Sequence, residues 1–254
     1  SHSNLSGDSD FKCDLSFKKD IDKMLSNINP DVILNLVALT DVDLCERKLN
    51  LAYKINTETV QNLVSSLSNL DSCHLIHVSS DQLYDDPFLN SEDQIKLQNN
   101  YSLTKYLGES VCTVTNSTIL RTNFFGKSFA FNRKSFSDWI IHNLKRKNKI
   151  KVFEDVYFNP LHLETFCECI LKVIKLKKEG VYNLGSKKPI SKAEFSFLIS
   201  EHLELKDKYL NLASVRDLNL DAYRPKNMSM DCSKFEKAFN INLPNLTDEI
   251  KKLS

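Results

Sequence analysis

The ten residues DVILNLVALT, Asp31 to Thr40, decide how this chain folds. Pro30 precedes them, and the run is apolar almost throughout rather than alternating, the pattern of a parallel strand covered on both faces. Behind it, Ala52, Ile55, Thr59, Leu63 and Leu67 recur at helical spacing, so a helix follows. CHLIHVSS (73–80) is a second short apolar run, the segment Ser102 to Val114 a second helix, and STILRTNFF (117–125) a third strand. This β-α-β-α-β order predicts an α/β fold: a doubly wound parallel sheet with helices on both faces and right-handed crossovers.

Past Gly126 the character changes. Residues 127–151 are polar, basic and aromatic, with Trp139, Ile140 and Leu144 as the expected buried stripe. KVFED reads as a short strand, Leu163, Phe166, Ile170, Val173 and Ile174 as one face of a helix, and VYNLG (181–185) as a further strand. From Ser191 onward two or three short helices are expected around the loop AYRPKNMSMD. With no repeat or long linker, the second unit is expected to be a small lobe interleaved with the sheet. The predicted division is a sheet domain over 1–125 that also uses about 159–184, and a lobe formed by 126–158 and 185–254.

Composition narrows the classes of function. Lys and Arg number 34 against 33 Asp and Glu over 254 residues, a balance that gives no electrostatic case for nucleic acid or an anionic membrane surface. The apolar runs fall short of the roughly 20 residues needed to span a bilayer. Seven scattered cysteines, whose closest pair is Cys167 and Cys169 in a CxC, read as free thiols, and a cytoplasmic setting is expected. Glycine occurs only 5 times, so few phosphate-cradling loops can be present.

In an open parallel sheet the ligand crevice lies at the carboxyl ends of the strands. Three such ends carry polar groups: Ala38, Leu39 and Thr40; Ser79, Ser80 and Asp81; Arg121, Thr122 and Asn123. Between the second and third lies YSLTK, which sets Tyr101 and Lys105 one turn apart on one helical face. A lysine there depresses a phenol's pKa, and a serine hydroxyl can share the same substrate oxygen. A lone YxxxK pair is expected about once by chance in such a chain and then marks only an exposed helix face. Ser80, at a strand end 21 residues ahead of Tyr101, gives it weight.

Taken together, DVILNLVALTDVDLCERKLNLAYKIN, IHVSSDQLYDD, NNYSLTKYLGES, ILRTNFFG and RPKNMSMD closely resemble the extended short-chain dehydrogenase/reductases of the dTDP-4-dehydrorhamnose reductase type, in order and over nearly the whole chain. The resemblance implies a Rossmann-like fold, NADPH or NADH as cofactor, reduction of a 4-keto sugar nucleotide, and pairing as a homodimer. It implies that Ser80 holds the substrate carbonyl oxygen, that Tyr101 is the general acid, and that Lys105 holds the nicotinamide ribose and lowers the tyrosine pKa. It puts Asp14 and Leu15 near the adenine, and Leu36, Val37, Ala38 and Thr40 along the dinucleotide. Val42, Asp81, Asn123 and Phe124 would face the substrate, with Phe124 stacking a pyrimidine, and Arg224 would take the substrate's pyrophosphate.

Plainer readings stand beside these. Leu36, Val37, Ala38 and Phe124 could be core, Asp14 a helix N-cap, and Arg224 half of a surface ion pair. Lys145, Arg146, Lys147, Lys149 and Lys151 read as a solvated helix end, and His74 and His77 as core or strand-edge histidines. One departure from the pattern matters: the opening SHSNLSGDSDFKCDLSF aligns with the end of the family's second strand and its third, so the about 30 residues that build the glycine-rich phosphate turn are expected to be missing. A regulatory partner without catalysis, and an epimerase or dehydratase, are therefore alternatives. Against the dehydratase, Asp81 is followed by Gln82 rather than a second acid.

Overall fold

Neighbouring residues of the central strands point to opposite faces, and each face finds its own helices. A computed structural model describes residues 12–68, 70, 72–129 and 134–253; the opening residues 1–11 lie outside the described residues. The chain runs from α1 (Lys18–Ile28) into β1 (Val32–Asn35), then α2 (Val42–Arg47), α3 (Leu49–Tyr53), a π-helical turn (Lys54–Glu58) and α4 (Thr59–Leu67). β2 (His74–Val78), α5 (Asn100–Cys112) and β3 (Ser117–Thr122) follow. The next segment holds β4 (Phe124–Phe125), α6 (Phe136–Lys145), β5 (Ile150–Phe153), β6 (Tyr157–Phe158) and β7 (Leu161–His162). Then come α7 (Leu163–Leu176), β8 (Gly180–Leu184), β9 (Ile190–Ser191), α8 (Lys192–His202), β10 (Leu210–Ala213), α9 (Ser233–Phe239) and α10 (Leu246–Ile250).

The main sheet has the order β1-β2-β3-β8 and all its pairings are parallel. Leu75 and Ile119 face one side, where they pack with Ile21, Leu25, Val60, Leu63 and Cys112 of α1, α4 and α5. Ile76 and Leu120 face the other, with Phe166, Ile170 and Val173 of α7 and Phe235 and Phe239 of α9. This is the doubly wound α/β arrangement expected from the alternation of strands and helices. A third core, of Phe125, Ile140, Leu144, Val152, Phe158, Phe195 and Ile199, gathers α6, α8, β5 and β6. There β10 pairs in parallel with β5, a strand that the sequence pattern did not announce.

Three expectations need correction. DVILNLVALT does not continue as a strand to Thr40, because β1 stops at Asn35, opposite His77, and the Asn35 side chain accepts the Val37 amide at 3.1 Å to turn the chain away. Among the described residues β1 is an edge strand and is only half-buried, not covered on both faces. The helix from Ala52 to Leu67 is interrupted by the π-helical turn, which rotates its buried stripe so that Asn56 and Thr57 face inward. Both then bond to Thr104 of α5, through its hydroxyl at 3.1 Å and its carbonyl at 2.9 Å. Gly108 makes that approach possible, since a Cβ there would lie 2.5 Å from the Asn56 carbonyl oxygen. Finally, Trp139 is 38% exposed and stacks on Phe136 at 6.1 Å, while Ile140 and Leu144 are buried as expected.

Candidate active site

The cleft opens where β1, β2 and β3 end. Helix α5 forms its wall, and the start of that helix is well specified: Asn99 accepts the Ser102 amide at 2.8 Å while the Ser102 hydroxyl accepts the Asn99 amide at 3.2 Å, a reciprocal capping box. Glu46 of α2 accepts the Asn100 amide at 3.0 Å, which fixes the same end from the other side. Tyr101 and Lys105 therefore project from a helix whose first turn is tied at several points. The Tyr101 ring packs with Cys45, Ala52, Leu39 and Val42.

The cleft has a volume of about 350 Å³ and is lined by Ser80, Tyr101 and Lys105 together with Leu36, Ala38, Thr40, Val42, Val78, Ser79, Asp81, Gln82, Thr122, Asn123 and Phe124. Segments more than 80 residues apart in sequence thus contribute to one concavity. Lys105 is 1% exposed and donates to the Val78 carbonyl at 2.8 Å. Burial pushes its pKa down to about 8, although Glu109, one turn further along α5, works in the other direction. Glu109 is held in turn by Arg121 of β3, at 2.7 Å, with both side chains 3% exposed. Arg121 also donates to the Tyr84 hydroxyl at 2.8 Å, which donates to Asn183 at 2.6 Å.

Ser80 accepts the Gln82 amide at 3.1 Å and donates to Asp81 Oδ1 at 3.3 Å. Asn123 donates to the other Asp81 oxygen at 2.7 Å. Burial pushes the Asp81 carboxyl up to about 6, against the Asn123 bond, the charge of Lys192 and the Ser80 bond. Three buried hydroxyls on the cleft, those of Thr40, Ser79 and Thr122, have no hydrogen-bond partner among the described residues. Buried polar groups are rarely left so, which marks this as a place built to receive a polar ligand. Phe124 is 44% exposed and presents one face to the cleft while the other stacks on Phe166 at 4.8 Å.

The remaining site expectations divide. Val37 does not line the cleft; its amide is satisfied by Asn35. Asp14 and Leu15 lie outside it as well: Asp14 accepts the Ser16 amide in a tight turn, the helix N-cap is Phe17, and Leu15 packs toward the α1–α4 core. Arg224 is not on the cleft either. Its guanidinium donates to Asp43 at 2.6 Å and to the Ala222 carbonyl at 2.9 Å, so the ion-pair reading describes it. His74 and His77 are buried, the first bonded to Thr118 at 2.8 Å and the second to Asn35 at 3.1 Å, and burial lowers the pKa of both. Ser79 and Thr122, which the sequence marks only as polar groups at strand ends, and Gln82, which it marks only as the residue after Asp81, also line the cleft.

A dTDP-4-dehydrorhamnose reductase of Shigella flexneri is 25% identical over 260 residues, covering 96% of this chain and 85% of the relative. The crystal structure of a hypothetical dTDP-4-dehydrorhamnose reductase from Sulfolobus tokodaii matches with a TM-score of 0.85 at 29% identity, over 99% of this chain and 89% of that one. The dTDP-4-dehydrorhamnose reductase of Bacillus anthracis, solved in complex with NADP, matches with a TM-score of 0.87 over 94% of this chain and 85% of that one, and at 22% identity it speaks to the fold alone. No helix among the described residues is long and apolar enough to cross a membrane. Because the family model described as the RmlD substrate binding domain matches residues 2–254, essentially end to end, the chain belongs to that family.

Proposed function

We propose that this protein reduces the keto carbon of a sugar nucleotide, with NADPH or NADH as cofactor and a 4-keto sugar of the dTDP-4-dehydrorhamnose type as substrate. The observation that carries this reading is the presence of Ser80, Tyr101 and Lys105 on one cleft at the strand ends. The residues there fit a dinucleotide: the unpartnered hydroxyls of Thr40, Ser79 and Thr122 would hold it together with Leu36 and Ala38 of the loop after β1. When bound, the reduced cofactor supplies a hydride to the carbonyl carbon.

The protein's own part is to manage the charge left on oxygen. Ser80 has one proton to give, and it now goes to Asp81 across 3.3 Å, a long bond readily exchanged for a substrate carbonyl. The Gln82 amide keeps the hydroxyl oriented during that exchange. Tyr101 delivers a proton to the same oxygen, and the Lys105 ammonium one turn away favours the phenolate that remains. Phe124, backed by Phe166, offers an aromatic face for a base. Gln82 in place of a second acid favours the reductase over a dehydratase. A cytoplasmic setting accords with cysteines that are all unpaired.

The test is direct. The purified protein, mixed with NADPH and dTDP-4-dehydrorhamnose, should consume NADPH with formation of the 4-hydroxy sugar nucleotide. No consumption with any 4-keto sugar nucleotide, with either cofactor, would reject the reading.

A further inference from the structure

The turn that follows Ser80 carries a polar side chain to which the proposed proton transfer gives no part. Ser80 caps the short 3₁₀ turn Asp81–Leu83 by accepting the Gln82 amide at 3.1 Å, and Leu83 and Tyr84, both fully buried, anchor its far end. The backbone of Gln82 is therefore fixed on both sides. Gln82 lines the cleft together with Ser80, Asp81 and Asn123. Its Oε1 is shielded from water and accepts no hydrogen bond among the described residues.

A buried amide oxygen without a donor is costly, and folded proteins rarely keep one. The neighbouring side chains are already committed: Ser80 donates to Asp81 Oδ1 at 3.3 Å, and Asn123 donates to the other Asp81 oxygen at 2.7 Å. The Gln82 oxygen gives up no bond when the carboxamide turns to a ligand. A carboxamide neither releases nor takes a proton at neutral pH, so it serves recognition rather than proton transfer. It offers an acceptor and a donor side by side, and a hydroxyl, which can donate to the one or accept from the other, is its complement. We propose that Gln82 is a specificity-determining residue, whose carboxamide hydrogen-bonds a hydroxyl on the ring carbon next to the keto carbon. The placement follows from the turn: Gln82 stands two residues after Ser80 and its amide is bonded to the Ser80 hydroxyl, so a sugar whose carbonyl oxygen lies on Ser80 brings a vicinal hydroxyl to the same turn. The proposal rests on the reductase reading for the place of the carbonyl at Ser80.

Steady-state rates of the full chain with NADPH test this on two substrates, dTDP-4-dehydrorhamnose and its 3-deoxy counterpart, in the wild type, Gln82→Met and Gln82→Glu. The wild type should prefer the 3-hydroxy sugar in kcat/KM by about 10- to 100-fold, the worth of one hydrogen bond whose loss leaves a buried partner unsatisfied. In Gln82→Met that preference should collapse to within about threefold, and Gln82→Glu, which keeps an acceptor oxygen, should retain most of it. Rates that fall equally for both sugars in Gln82→Met show a merely structural role and overturn the proposal, as does a wild type that does not distinguish the two. So does a raised KM for NADPH with the sugar preference intact, which gives the carboxamide to the cofactor. Failure of the reductase reading is read separately, as absent turnover of both sugars, and the preference is then measured as calorimetric Kd values for the same two sugar nucleotides. Discrimination that still depends on Gln82 upholds the proposal, and equal affinities, or no binding of either, overturn it.

Discussion

Two sets of polar groups at the cleft are built on different terms. On the sheet side, Lys105 is tied to a backbone carbonyl, Glu109 stands one turn along α5, and Arg121 closes the set. At the strand ends, by contrast, the buried hydroxyls of Thr40, Ser79 and Thr122 have no hydrogen-bond partner among the described residues. A chemical group that must act at a fixed place is worth satisfying within the fold in advance. A group left unsatisfied keeps its binding capacity for what enters. The charged set is thus fixed within the fold in advance, and the hydroxyls are left open to a ligand.

The contrast can be broken most sharply at Tyr101. Replacement of Tyr101 by Phe removes one hydroxyl from a ring packed by Cys45, Ala52, Leu39 and Val42. Turnover should fall by about 100-fold to 10,000-fold with a melting temperature close to wild type; a variant with wild-type rates would show that the proton comes from elsewhere.

Next in size is the support beneath Lys105. Glu109→Gln leaves the buried Arg121 without its countercharge and should cost about 3–5 kcal/mol in urea unfolding. A loss below 1 kcal/mol would mean that Arg121 is adequately held by Tyr84 and the Glu92 carbonyl alone.

A third measurement follows the titration of Lys105, whose pKa is about 8 in the fold and 10.5 as an ordinary lysine. The unfolded chain binds more protons between these values, so the wild type gains stability as pH rises from 8 to 10.5, and the cost of burying the ammonium is fully present below 8. That cost is at most about 3 kcal/mol. The stability of Lys105→Met relative to wild type should therefore be greatest below pH 8 and decline toward pH 10.5. A difference independent of pH would separate Lys105 from the burial argument. Wild-type turnover should also fall above pH 8 as the ammonium is lost.

The smallest effect is expected at the basic run after α6. Lys145→Ala, on an exposed stretch, should change stability by less than about 0.5 kcal/mol and leave NADPH oxidation untouched. A marked loss of turnover there would give the run a part in binding that its solvated position does not suggest.

The sequence by itself determined the order of strands and helices, because apolar runs of strand length and helical spacing record burial directly. It also singled out Ser80, Tyr101 and Lys105 as candidates, since Ser80 closely follows a strand and the Tyr101–Lys105 spacing is a local property of one helix turn. The early end of β1 was not legible, because it depends on Asn35 meeting the Val37 amide, and neither was the π-helical turn, which answers to Thr104 about fifty residues away. Arg224 shows the same limit. A guanidinium suits phosphate and carboxylate alike, and only the placement of Asp43 beside it decided which it meets. Periodicity encodes which residues are buried, whereas partners far apart in the chain are chosen by the tertiary fold.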